Sequence, residues 1–148
     1  MLQRPREAAY ENATTFKLFL HDIGLLGALS GLETSALLQG TVLFEEFKGA
    51  LTEQYVPQQF VAARNSVPMY WAPENGRAEL DFVVEHSAAL VSIEVKGDEN
   101  LLSKSLRSYI DRFQPAEAWR FSLADYREQE EMTNVPLFAT FPRLYLDH

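Results

Sequence analysis

Three residues on two neighbouring apolar runs carry the chemistry this sequence could do: Asp81 in ELDFVVEH, and Glu94 and Lys96 in AALVSIEVK. A β-strand sends alternate side chains to opposite faces, so Glu94 and Lys96 share one surface while Ile93 and Val95 turn toward a core. If the two runs pair as a hairpin, Asp81 comes to lie beside Glu94. Two carboxylates with an ammonium nearby make an oxygen-rich site suited to a hard divalent cation.

The elements that must position these residues can be read from periodicity and turn chemistry. Residues 1–15 are polar, carry Pro5 and form a lead-in segment. Phe16–Leu20 (FKLFL) is expected to enter the core as a strand, followed by a turn at 21–24 and short helices over 25–29 and 33–38. From Thr41 to about Val56, apolar residues at spacings of three and four predict a helix with Phe44, Phe47 and Leu51 on its core face. Pro57 is expected to end or kink that helix, because its ring meets the carbonyl of Glu53 and it donates no bond. Glu53 then falls in the last regular turn, where the helix dipole does nothing for a carboxylate.

Three strands follow, over 69–72, 78–85 and 89–96, as an antiparallel meander with turns at 73–76 and 86–88. An amphipathic helix is predicted over 99–113, stopped before Pro115, and then a strand over 118–123. Strand, helix and strand in that order form the crossover that joins parallel strands. Val135–Phe141 (VPLFATF) is expected to be a last strand after a charged loop at 127–131. No repeat, linker or low-complexity run interrupts the chain.

The 148 residues suit one domain, long enough to bury roughly 70% of the surface exposed by its unfolded chain. Hydrophobic residues make up 47% and charged residues 23% of the sequence, the profile of a soluble globular protein. No apolar run has the length of a membrane span and residues 1–15 lack the apolar centre of a signal peptide, so no membrane partner and a cytoplasmic location are expected. The absence of cysteine removes disulfides, thiolate nucleophiles and zinc–thiolate sites. A net charge of −8 opposes a broad nucleic-acid surface while leaving room for a local basic strip.

Glu53 on a helix, Asp81 on one strand and Glu94-Val95-Lys96 on the next, with an amphipathic helix after them, resemble the PD-(D/E)xK nuclease fold, also called restriction-endonuclease-like. More closely, the chain resembles the domain of unknown function found C-terminal to the ATPase core of many bacterial and archaeal AAA-type ATPases. The likeness is carried by Phe16-Lys17-Leu18-Phe19 with Asp22 and Gly24, Gly49-Ala50-Leu51-Thr52-Glu53, Tyr70-Trp71, Ala78-Glu79-Leu80-Asp81-Phe82, Ile93-Glu94-Val95-Lys96 and Lys104-Ser105-Leu106. It implies an α/β (α+β) fold with a restriction-endonuclease-like core, a mixed sheet in which an antiparallel meander precedes a helix crossover to a parallel strand.

The resemblance also implies roles. Asp81 and Glu94 would hold Mg2+, Glu53 would reach it directly or through water, and Lys96 would orient the attacking water or neutralise charge on the phosphate. Ser103, Lys104 and Arg107 are the nearest candidates for phosphate contacts. Pro57 departs from the family pattern, and so does the lack of a Walker A sequence, which removes any ATP site from this chain. The chain is expected to be a C-terminal portion of a larger ATPase or a stand-alone relic of one.

Each candidate has an ordinary reading as well. Exposed cross-strand charge pairs are common, and on pattern alone they account best for Asp81, Glu94 and Lys96. The resemblance reverses that weighting for a shared cluster, although folds outlive their chemistry. Glu53 is balanced between cluster and helix surface, whereas Lys104 and Arg107 read more readily as solvated charges. His21, His86 and His148 give little support to a histidine metal site, and Trp71 and Trp119 suit a core or its rim. Two functions follow: a non-catalytic module contacting an ATPase domain or partner protein, favoured by the acidic balance, and a Mg2+-dependent DNA or RNA phosphodiester hydrolase.

Overall fold

The computed structural model describes residues 16–33, 35, 42–64, 66–72, 79–86, 88–98 and 104–146. Among these, the α-helices are α1 (Ile23–Leu29), α2 (Val42–Arg64), α3 (Lys104–Phe113) and α4 (Thr140–Leu146). The strands are β1 (Met69–Trp71), β2 (Leu80–His86), β3 (Ala89–Val95), β4 (Glu117–Ser122), β5 (Arg127–Glu128) and β6 (Thr133–Pro136). They form one mixed sheet in the order β1-β2-β3-β4-β6-β5.

The meander and the crossover stand where periodicity places them. β1, β2 and β3 are antiparallel neighbours, and β3 and β4 pair in parallel across α3. Both faces of the central strands are covered. Val56 and Phe60 of α2 and Leu144 of α4 pack on Phe82, Val84, Val91, Ile93, Trp119 and Phe121. Leu106 and Tyr109 of α3 pack on Leu80, Val83, Leu90 and Ala118 from the other side. Burial on both faces explains why β2 and β3 read as nearly continuous apolar runs, and why a charge within them needs a local reason.

Four expectations are corrected. Residues 16–20 form no strand: they lie against α2 with no ladder partner among the described residues. The side chain of Gln54 takes the place of a strand, accepting from Leu20 N–H at 2.8 Å and donating to Leu20 C=O at 2.7 Å. Second, α2 passes through Pro57 and continues to Arg64. A proline in a helix interior costs about 3 kcal/mol, yet Val56, Pro57 and Phe60 are all buried, each returning roughly 1.5–3 kcal/mol. Burial wins, and Glu53 sits in the middle of a helix rather than its last turn.

Third, the strand expected over 135–141 ends at Pro136, and a 3-10 turn at Leu137–Ala139 leads into α4. Pro142 lies in the first turn of α4, where an amide hydrogen would have no intrahelical acceptor anyway. Fourth, the loop over 127–131 contains the short edge strand β5, paired with β6. The helix expected over 33–38, the turn at 73–76, and residues 99–103 at the start of the amphipathic helix lie largely or wholly outside the described residues.

Because Gln54 pairs with both backbone groups of half-buried Leu20, Gln54→Ala is expected to destabilise the protein by about 1–3 kcal/mol, the cost of leaving these groups unpaired. Hydrogen exchange should show Leu20 N–H losing protection while the amides of β3 keep theirs.

Candidate functional site

The chemistry-bearing residues gather where β2 begins, β3 ends and the middle of α2 passes by. Gly97 brings the helix close. A Cβ at this position would stand 3.2 Å from Thr52 Oγ1 and 3.3 Å from the carbonyl of Lys48, so a larger residue would press the end of β3 against α2. Lys96 N–H extends the parallel ladder one step by donating to the carbonyl of Phe121 at 2.8 Å.

Asp81 lies at a break in strand alternation. Leu80 and Val83 both pack on the α3 side, while Phe82 and Val84 face α2. At that break the carboxylate of Asp81 accepts from Val95 N–H at 2.7 Å. Burial pushes the Asp81 carboxyl up to about 6, and the negative charges of Glu53 and Glu94 push the same way; the Val95 hydrogen bond and the charge of Lys17 oppose them.

Glu94 is buried, and its Oε1 pairs with Lys96 Nζ at 3.1 Å. Its Oε2 is buried without a hydrogen-bond partner among the described residues. Glu53, from α2, pairs through Oε1 with Lys17 Nζ at 2.8 Å. The same ammonium contacts Glu79 Oε1 at 2.5 Å and stands 5.3 Å from the ring centre of Tyr70. Of the proposed phosphate contacts, Lys104 and Arg107 are exposed on α3, with Arg107 facing Glu131 at 3.8 Å. Ser103 lies outside the described residues.

An octahedral cation needs several oxygens converging on one point. Among the described residues, no three Asp, Glu or His side chains are grouped so as to hold a metal ion. The unpartnered Oε2 of Glu94 is the one feature that suits a cation. Glu53 is paired with Lys17, an ammonium it shares with Glu79, and Asp81 is turned onto a backbone amide. In this arrangement the residues do not fit Mg2+.

Three participants receive no role in the reading of the sequence: Lys17, Glu79 and Arg120. Lys17 is the single charge within FKLFL, on the inward phase of an extended segment whose Phe16 and Leu18 are 72% and 85% exposed. That phase was its available signal. Arg120 stands beside Glu94 in the parallel register and is 0% exposed. Its guanidinium donates to Asn134 Oδ1 at 3.0 Å and Gln129 Oε1 at 3.1 Å. Burial pushes Arg120 downward from the usual arginine range, and the charge of Glu94 resists this. No spacing rule links residues 94 and 120.

His86, expected in a turn, is the buried last residue of β2 and meets Trp119 edge-on at 5.1 Å between ring centres. Trp119 is core, while half-buried Trp71 packs against Tyr109 and Phe113.

The raised Asp81 carboxyl gives a signed prediction. The folded state holds this proton more strongly than the unfolded chain, so the contribution is complete below about pH 4 and is lost as pH rises through about 6. Stability should fall across that window by up to about 3 kcal/mol. Asp81→Asn should flatten this part of the profile and melt higher than the parent at pH 7.5; thermal melts from pH 4 to 7.5 check both.

The family described as "Domain of unknown function (DUF4143)" matches residues 48–139. No curated protein and no solved structure matches the chain.

Proposed function

The chain belongs to DUF4143, a domain of unknown function, and from that premise we propose that it is an accessory domain of an AAA-type ATPase, with a PD-(D/E)xK-like carboxylate cluster, acting by contact rather than by hydrolysis. The observation that carries this reading is the closure of the cluster by the protein's own groups. Glu53 is paired with Lys17, Glu94 Oε1 with Lys96, and Asp81 with the amide of Val95. A nuclease of this type needs its carboxylates turned onto one metal and its lysine turned onto water or phosphate. Here the lysine of the E-x-K pattern is turned onto the glutamate.

Exposed aromatic residues support the contact half of the reading. Phe138 is 81% exposed in the 3-10 turn, and Phe141 and Tyr145 of α4 stack with ring centres 5.5 Å apart and planes 12° apart, both exposed. Aromatic side chains are enriched in the centres of protein interfaces. The ATPase core is the partner proposed for them.

A Mg2+-dependent DNA or RNA hydrolase is the second reading, favoured by the unpartnered Glu94 Oε2. A cleavage assay separates the two. The purified chain, incubated with single- or double-stranded DNA or with RNA in Mg2+ or Mn2+, should leave all of them intact. Cleavage that disappears in both Asp81→Ala and Lys96→Ala would establish the hydrolase instead. The contact half predicts co-elution with an AAA-type ATPase core, weakened at least about tenfold by Phe138→Ser with Phe141→Ser, as expected for interface anchors, and unchanged by Lys104→Ala.

A further inference from the structure

Residues 16–23 are bound to α2 as a peptide is bound to a receptor. Exposure alternates along the arm, with Phe16 and Leu18 outward and Lys17 and Phe19 inward, as in an extended chain. No strand among the described residues pairs with it; side chains of α2 hold its backbone instead. Gln54 accepts from Leu20 N–H and donates to Leu20 C=O, and Gln58, one helical turn on, accepts from Ile23 N–H at 3.0 Å. Such amides recognise main chain and not sequence, because every residue except proline carries the same two groups.

Sequence enters at two other points. Phe19 packs on Phe82 of β2 with ring centres 5.6 Å apart. Lys17 Nζ meets Glu53 Oε1 at 2.8 Å and Glu79 Oε1 at 2.5 Å, and stands 5.3 Å from the ring centre of Tyr70. Two carboxylates and an aromatic face, supplied by α2, the residue before β2 and β1, make a slot for an organic cation. None of these groups belongs to the arm. The two carboxylates outnumber the one ammonium between them, and a guanidinium, with its planar fork of donors, suits such a pair better than an ammonium does.

We propose that this face of α2 and β2 is a peptide-binding groove for an extended basic segment of a partner protein, with Arg or Lys two residues before an aromatic residue, and that residues 16–23 are its tethered occupant. The net charge of −8 favours a basic partner on approach. The arm is fastened by a few side-chain bonds and one ring contact, so it opens without unravelling a ladder. While docked it competes with an incoming segment, whose apparent affinity falls with the fraction of grooves that are free.

Fluorescence anisotropy on the whole chain, with a labelled synthetic peptide of residues 16–24, tests this. Lys17→Glu in the chain loosens its own arm and should bind the peptide at least about tenfold tighter than the parent does. Within the peptide, Lys17→Arg should strengthen binding. Lys17→Glu in the peptide, or N-methylation at Leu20 to remove one donor, should weaken it at least about tenfold. The parent chain gives a second readout that needs no variant to fold: saturating unlabelled peptide should speed hydrogen exchange at its own Leu20 and Ile23 amides and leave those of β3 unchanged. No binding to either chain, equal binding of the Lys17→Glu peptide, or unchanged exchange at Leu20 under saturating peptide would overturn the groove. Concentration-dependent dimerisation of the parent, reversed by the peptide, would overturn the choice of partner, since the occupant would then be the arm of a second copy. The groove goes beyond the contact reading above and uses none of the aromatic residues on which the co-elution test acts, so the two fail separately.

Discussion

Negative charge gathered at one end of a doubly covered sheet has to be answered from within the protein, and the arrangement around Asp81 follows from that requirement. Water cannot supply the answer for Glu94, which is buried beside the fully buried Arg120. Coulomb interactions that would be slight in solvent become large where the surroundings polarise poorly. Each carboxylate is therefore matched by a specific donor: an ammonium for Glu53 and Glu94, and a backbone amide for Asp81. Burial raises the Asp81 carboxyl, and the hydrogen bond from Val95 only partly opposes it.

The same requirement explains why the N-terminal arm docks as it does. An extended segment would ordinarily satisfy its backbone in a sheet edge. Here α2 supplies the partners through Gln54 and Gln58, which leaves Lys17 free to face the cluster while Phe16 and Leu18 face outward. Continuation of α2 through Pro57 belongs to this design. Had the helix stopped at Val56, Gln58 would not be in place for Ile23, and Phe60 would be lost from the core.

On the opposite side of β3, a polar row crosses the sheet from Glu94 through Arg120 to Asn134. Asn134 Oδ1 accepts from both Arg120 and Ser122, and its Nδ2 donates to the carbonyls of Ala124 and Asp125. Such a network costs little when every member is satisfied and a great deal when one is removed. It fixes β4 and β6 in register, and it places a buried positive charge next to Glu94.

Local periodicity determined a good deal by itself. The β1–β2–β3 meander, the α3 crossover and the parallel β4 were legible because alternation, turn residues and the three-four spacing are properties of neighbours in the chain. So was the bringing of Asp81, Glu94 and Lys96 to one end of a hairpin. Tertiary structure alone decided the rest. The burial of Phe60 carried α2 past a proline that local rules would make a stop, and the break in alternation at Asp81 turned one carboxylate onto an amide. Lys17 and Arg120 reached the cluster from 36 residues before Glu53 and from the far side of a crossover. A counterion is chosen by distance in space, and the sequence records only distance along the chain.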